Sequence, residues 1–213
     1  MLKTLMPSLR ELINADYKTI KTAETERLIN SFLQGVKPVE KPELRQISGI
    51  PGSGKSTYCS LYLPINFLFI SFDKIMLSLS GYQKLLKEQG TIAAYNRYEM
   101  PARIIGYELL RRAIAKKVNI MLEHSGTNQA HLELFKNLPK HGYKTMVDFI
   151  VCDTSLAIAR AKQRAKEINR YVPEQIIKER AASFANYISA YQKIASSVSV
   201  FDGANNFQPL KKI

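Results

Sequence analysis

The stretch RQISGIPGSGKSTYCSLYL, residues Arg45 to Leu63, decides how this chain is read. Gly49, Gly54, Lys55 and Ser56 fill the spacing GxxxxGK followed by Ser or Thr, and Gly52 adds a further flexible point inside the turn. In such a turn, glycines let successive backbone N–H groups face a phosphate, the lysine adds a point charge, and the hydroxyl reaches a Mg²⁺ ion. A random chain of this size holds the pattern roughly once in a hundred. The reading is a nucleotide site made of Gly49, Pro51, Gly52, Ser53, Gly54, Lys55, Ser56 and Thr57, with Ser56 on the metal side.

The surroundings fit. KSTYCSLYL reads as a helix stopped by Pro64, and its N-terminal dipole favours phosphate. The strand before the loop is less plain, because Arg45 and Gln46 stand where a buried parallel strand usually runs apolar. Downstream, the β-rich runs INFLFISF, VNIMLE, TMVDFIV and SVSVF alternate with helical patterns. That alternation predicts an α/β fold with a parallel sheet covered by helices on both faces. Ligands in such sheets gather beyond the carboxyl ends of the strands. Asp73 follows INFLFISF and Glu123 closes VNIMLE, so two carboxylates are expected beside the glycine loop.

Composition narrows the setting. The 213 residues are 46% hydrophobic and 23% charged, which suits a globular chain with a full core. No apolar run reaches the span of a bilayer, and MLKTLMPSLREL lacks the features of a secretory signal. A cytoplasmic setting is expected, with no membrane among the partners. Cys59 and Cys152 are too few for a disulfide framework and are expected as buried thiols. A formal net charge of +13 invites an anionic partner, yet the basic residues are spread without the aromatic interleaving of a single-strand nucleic-acid track. Leu9, Leu12, Ile13, Ile20, Leu28, Ile29, Phe32 and Leu33 space out two N-terminal helices, and VKPVEKPE reads as a linker after them.

Asp73 has the position of a general base, or alternatively of a helix N-cap. Glu123 needs water or a partner at the end of an apolar strand. His124 reads as a hydrogen-bonded neighbour, while His131 and His141 read as solvated. In DTSLAIARAKQRAKEINRYVPEQII, Thr154 or Ser155 can cap a helix whose Arg160 and Arg164 share a face, and Arg170 precedes Pro173. Guanidinium groups suit the charge that builds on a transferring phosphoryl group, so an arginine-bearing lid is expected.

Taken in order, GIPGSGKST, FISFDKI, YEMPAR, NIMLEHSGT, HGYKTMVDFIVC, NRYVPEQII and VSVFDGANN resemble the zeta toxin and polynucleotide kinase branch of P-loop kinases, over about residues 44 to 206. The resemblance implies a P-loop kinase domain at 41–213 behind a helical extension and linker at 1–40. It implies transfer of the γ-phosphate of ATP or GTP, with Mg²⁺, to a hydroxyl of a small molecule such as a UDP-N-acetylamino sugar. By motif match Lys55 holds phosphate, Asp73 is the base, and Arg164 and Arg170 clamp the transferred group with Arg160 in reserve. Glu99, Arg103, Glu123 and Thr127 fall on the substrate side. EHSGT departs from the Glu-Gly-Thr of many relatives, which leaves Ser125 and Thr127 both open at that edge. An antitoxin-like protein partner also follows from the resemblance. A 5′-hydroxyl polynucleotide kinase, with nucleic acid as partner, and a non-catalytic nucleotide-binding module are the alternatives.

Overall fold

Backbone groups of a strand buried on both sides must be satisfied by neighbouring strands, and the strand leading into the glycine loop is held in this way. The protein, as a computed structural model, is described over residues 1–9, 17–167 and 171–210. In chain order the helices Leu2–Leu5 (α1) and Ala23–Leu33 (α2) precede the strand Glu43–Ser48 (β1). Helix Lys55–Tyr62 (α3), strand Phe67–Ser71 (β2) and helices Phe72–Leu77 (α4) and Ser80–Ala115 (α5) follow. Next come strand Asn119–Glu123 (β3), helix Gln129–Asn137 (α6) and strand Lys144–Val151 (β4). Helices Thr154–Glu167 (α7) and Glu174–Gln192 (α8) and strands Ser197–Asp202 (β5) and Gln208–Pro209 (β6) complete the described chain.

The sheet order is β2-β3-β1-β4-β5-β6. The first five strands are mutually parallel and the short β6 pairs antiparallel to β5. This is the expected α/β sheet, of P-loop kinase type, and β1 lies between β3 and β4. Its register puts Ile47 beside Glu123 on one side and Asp148 on the other. The expected strand INFLFISF begins later than its apolar run, since Ile65 is exposed and Asn66 turns with φ of 70°.

Two polar residues of β1, Gln46 and Arg45, find buried partners, though Arg45 Nε has none among the described residues. Gln46 is fully buried and its amide donates to Ser48 Oγ at 2.9 Å and Tyr191 Oη at 3.1 Å. Arg45 reaches Asp148 at 3.4 Å, and Tyr58 donates to the same carboxylate at 3.1 Å. In α5 the helical backbone breaks at Gly90, whose φ of 82° and ψ of 178° suit a residue without Cβ. The cap of α7 is Asp153 rather than Thr154 or Ser155: its carboxylate accepts from the N–H groups of Ser155 and Leu156. The two cysteines are free, Cys59 buried and Cys152 half-buried. No described helix is long and apolar enough to cross a membrane.

The N-terminal residues join the main core. Leu2, Leu5, Met6, Leu9 and Ile29 are buried in one cluster with Leu134, Phe135 and Leu138. Ser8 donates through its N–H and its hydroxyl to Glu133, both at 2.9 Å, and Asn137 donates to the Leu5 carbonyl. Thr22 caps α2 in a reciprocal capping box with Thr25, while Glu26 accepts two hydrogen bonds from Arg112 of α5. Of the apolar positions read into the two N-terminal helices, Leu12 and Ile13 lie outside the described residues. Leu5→Ala is expected to cost about 2–5 kcal/mol of stability through lost burial and a residual cavity, read from the denaturant midpoint. An unchanged midpoint would mean that this segment does not share the core.

Candidate active site

The glycine loop leaves β1 and closes on α3 through two residues in left-handed backbone. Gly52 has φ of 87° and faces the Ala157 carbonyl so closely that a Cβ would lie 2.1 Å from its oxygen. Gly54, with φ of 103°, caps α3. The Lys55 ammonium is curled onto the loop and donates to the carbonyls of Gly49 at 2.8 Å and Ile50 at 2.9 Å. Burial pushes its pKa down to about 8, with Glu123 opposing and Arg180 and Arg164 reinforcing the shift. Ser53 Oγ is buried without a partner among the described residues, inside the turn where phosphate oxygens are expected. Pro51 lines the adjoining cavity and Thr57 is exposed on α3. The loop after β5 backs this turn: a Cβ on Gly203 would strike the Ser53 carbonyl, and Arg160 donates to the Gly203 carbonyl at 2.9 Å. Arg160 is thus engaged in holding that loop.

The strand ends bring the carboxylates together. Ser56 Oγ donates to Glu123 Oε1 at 2.6 Å, joining the start of α3 to the end of β3. Lys55, Asp73, Glu99, Arg103 and Glu123 line one cavity at this edge. Asp73 sits in the first turn of α4, whose N-cap is Ser71, so the carboxylate is not the cap. Glu99 and Arg103, four apart on α5, form an ion pair at 2.5 Å. Arg164 lines a smaller cavity with Pro51, Gly52 and Val172, and Val172 and Pro51 border the main cavity as well. Ser125 lines the main cavity, whereas Thr127 instead donates to the Ser125 hydroxyl at 3.3 Å. Arg170 lies outside the described residues.

A family model described as Zeta toxin matches residues 29–208. The chain belongs to the zeta toxin family. With that membership come a P-loop phosphotransferase framework and nucleotide binding. No curated protein sequence matches the chain. Among solved structures it is similar to one from the PezAT chromosomal toxin–antitoxin system of Streptococcus pneumoniae, at 15% identity and a TM-score of 0.71, covering 90% of this chain and 80% of that one. It is also similar to the AvrRxo1-ORF1:ORF2 complex with ATP, at 11% identity and a TM-score of 0.64, covering 87% of this chain and 64% of that one. The Pnkp1/Rnl/Hen1 RNA repair complex follows at 15% identity and a TM-score of 0.50, covering 82% of this chain and 50% of that one. At these identities the structures establish the fold alone.

Two features of this zeta toxin family member escape a reading by motif. Arg180 lines the same cavity from α8, and its pKa is lowered by burial and then by the neighbouring charge of Arg103. It falls in a helical stripe with Ile177 and Phe184, and a base inside an apolar stripe was the signal available. The second is a buried polar network behind Glu123. His131 is fully buried rather than solvated, and it stacks on His124 at 3.6 Å between ring centroids. Because the Gln46 amide nitrogen is already donating, its oxygen faces His131 Nδ1 at 2.6 Å, so Nδ1 carries the proton and Nε2 accepts from Tyr107. His124 Nδ1 accepts from the Gly126 N–H at 2.9 Å. Gly126, with φ of 73°, has no room for a Cβ, which would lie 2.4 Å from Ser48 Oγ.

Both histidines are held neutral chiefly by burial, His131 down to about 3. The unfolded chain binds a proton near pH 6.5 and the native His131 does not, so its stabilising contribution is complete above that pH and is lost as pH falls toward 3. Denaturation at pH 7.5 and 5.5 is expected to show stability falling as pH drops below 6.5, by on the order of 1 kcal/mol through His131, a loss that His131→Gln reduces. Lys55 offers a second test. At pH 8 its amine is about half protonated, and phosphate oxygens favour the ammonium, so nucleotide binding should take up about half a proton. Calorimetric enthalpies in buffers of different ionisation heat measure this uptake, and it should vanish at pH 6.5. Equal uptake at both values would count against Lys55 as the source.

Proposed function

We propose that the chain is a Mg²⁺-dependent kinase that moves the γ-phosphate of ATP or GTP to a hydroxyl of a small molecule, with a UDP-N-acetylamino sugar as the first acceptor to test. The observation that supports this most is the shared cavity of Lys55 and Asp73, above the Ser56–Glu123 hydrogen bond. In this reading Asp73 accepts the proton of the acceptor hydroxyl, whose oxygen attacks the γ-phosphorus while the bond to the β-phosphate oxygen breaks and the diphosphate leaves. Lys55 swings from the loop carbonyls to the phosphates. Arg164, with Arg170, steadies the equatorial oxygens from the lid, and Glu99, Arg103 and Arg180 hold the acceptor.

The residues suit a Mg²⁺ ion. Ser56 and Glu123 offer a hydroxyl and a carboxylate within one hydrogen-bond length, both hard oxygen donors. Among the described residues no three His, Cys, Asp or Glu side chains form a metal cluster, in keeping with an ion completed by phosphate and water. When bound, the ion would neutralise negative charge on the phosphates. Glu123, expected on the substrate side, is therefore assigned to the metal side as well. A cytoplasmic setting and an antitoxin-like partner belong to the same proposal, supported by family membership and by the toxin–antitoxin origin of a similar structure.

Labelled transfer from ATP and GTP to UDP-N-acetylamino sugars and to 5′-hydroxyl oligonucleotides separates the sugar kinase from a polynucleotide kinase. Asp73→Asn then tests the mechanism, because it keeps size and removes the charge. Mg-nucleotide affinity should stay near that of the unmodified protein while transfer falls by roughly 10²-fold or more. Undiminished transfer by the asparagine variant would sink the role of Asp73, and nucleotide binding without transfer to any acceptor would favour a binding module.

A further inference from the structure

The kinase reading leaves two features unused, a set of exposed lysines and a run of exposed apolar side chains. Both fall at the edge of the sheet opposite the phosphate loop. Parallel strands start at a common edge, so the connections entering β3, β1, β4 and β5 lie side by side there. Lys116 and Lys117 precede β3, Lys37 and Lys41 precede β1, Lys140 and Lys144 flank the start of β4, and Lys193 leads toward β5; all seven are exposed. Backbone hydrogen bonds tie these connections together, from the Val39 N–H to the Lys117 carbonyl and from the Lys144 N–H to the Pro42 carbonyl, both at 2.9 Å. Four strands at about 4.8 Å spacing make a row roughly 15 Å long. In these connections the opposing carboxylates are Glu40 and Glu43, and Glu43 is already 3.9 Å from Lys144.

Helix C-termini explain some of the lysines. Lys116 and Lys193 cap α5 and α8, where a cation complements the dipole. Lys37, Lys41 and Lys144 have no such reason. The apolar run continues the row on its β2 side. Phe67 pairs with Asn119, which sets the connection before β2 beside Lys117, and there Leu63 is 41% and Ile65 89% exposed, with Leu61 at 64% just before them. Isolated exposed apolar residues are ordinary, but Leu61, Tyr62, Leu63 and Ile65, four within five positions at the end of a lysine row, form an amphipathic edge.

Against the expectation from sequence that no membrane is among the partners, we propose that this edge docks the protein on an anionic membrane surface, the lysine row meeting lipid headgroups and the Leu63–Ile65 knuckle entering the interface beside them. Anionic headgroups attract each nearby lysine, and the exposed side chains gain by leaving water. Nucleic acid would use the lysines but gain nothing from Leu63 and Ile65; Tyr143 of the β4 connection is buried, and the half-exposed Tyr62 ring packs against Tyr58 and Phe207. The phosphate loop would face away from the lipid, open to soluble nucleotide. The inference is independent of which acceptor the kinase uses.

Sedimentation with vesicles of phosphatidylcholine containing 30% phosphatidylglycerol, against pure phosphatidylcholine, tests it on the full chain in Mg-nucleotide. Binding is expected to the anionic vesicles alone and to weaken with salt. Lys116→Glu with Lys117→Glu should weaken it by roughly tenfold or more, and Ile65→Ser severalfold at constant salt. Lys84→Glu with Lys87→Glu, on the exposed face of α5, should reproduce only the small loss expected from net charge. Nucleotide affinity and thermal unfolding of each variant establish that the fold and the site are intact. Equal losses from the two lysine pairs would overturn the proposal, as would vesicle binding untouched by Ile65→Ser. Binding to duplex DNA with none to the vesicles would do so as well.

Discussion

The central strand is hydrogen-bonded along both sides, so whatever polar groups it carries must be satisfied by protein rather than water. Successive side chains of a strand point to opposite faces. Gln46 meets His131 of α6 and Tyr191 of α8 on one face, while Arg45 meets Asp148 and, through that carboxylate, Tyr58 of α3 on the other. Each layer of helices is thereby fastened to the same strand by a buried directional contact. Burial raises the pKa of Asp148 and Arg45 opposes that shift, so removing the arginine would strand the carboxylate. Apolar packing alone would tolerate sliding of α6 or α8; an unsatisfied amide or imidazole would not.

That fastening reaches the site through short links. Tyr191 Oη bridges the Gln46 amide to the Gly126 carbonyl, and the Gly126 N–H holds His124, the residue after Glu123. The His124 N–H in turn donates to the Ile47 carbonyl of β1. Glu123 is therefore fixed from both sides of its peptide chain before it accepts from Ser56. A carboxylate so held stays at the strand end without help from a ligand.

The phosphate loop, the alternation of strands and helices, and the pairing of Asp73 and Glu123 at one edge were legible because each is a local pattern with a fixed consequence. The polar content of β1 was not, since Gln46 and Arg45 read as defects until Tyr191, 145 positions away, and Asp148 supply their partners. His131 was read as solvated for the same reason: on α6 it resembles any polar position, and only the fold sets Tyr107 and Gln46 against its two nitrogens. Arg180 belongs to no motif, and only its place in the stripe with Ile177 and Phe184 on α8 marks it as facing inward. Of the site residues that motif spacing points to, Pro51, Lys55, Asp73, Glu99, Arg103 and Glu123 share a cavity; the rest of the glycine loop lies beside it, Thr127 hydrogen-bonds to Ser125 on its wall, Arg164 lines the smaller cavity next door and Arg170 is outside the described residues.

The distribution of charge follows from the same geometry. Helices that return antiparallel to the strands place their N-termini at the phosphate edge and their C-termini at the other. Positive helix ends and Lys55 favour anions at the first edge, so Asp73, Glu99 and Glu123 can gather there without the repulsion they would suffer alone. Negative helix ends at the second edge tolerate a row of lysines that would otherwise repel one another. The protein thus keeps three carboxylates around one cavity beside Lys55, Arg103 and Arg180, and adds a row of exposed lysines at the opposite end of the strands. Charges inside the cavity act through close contacts that salt screens far less than it screens the exposed lysines.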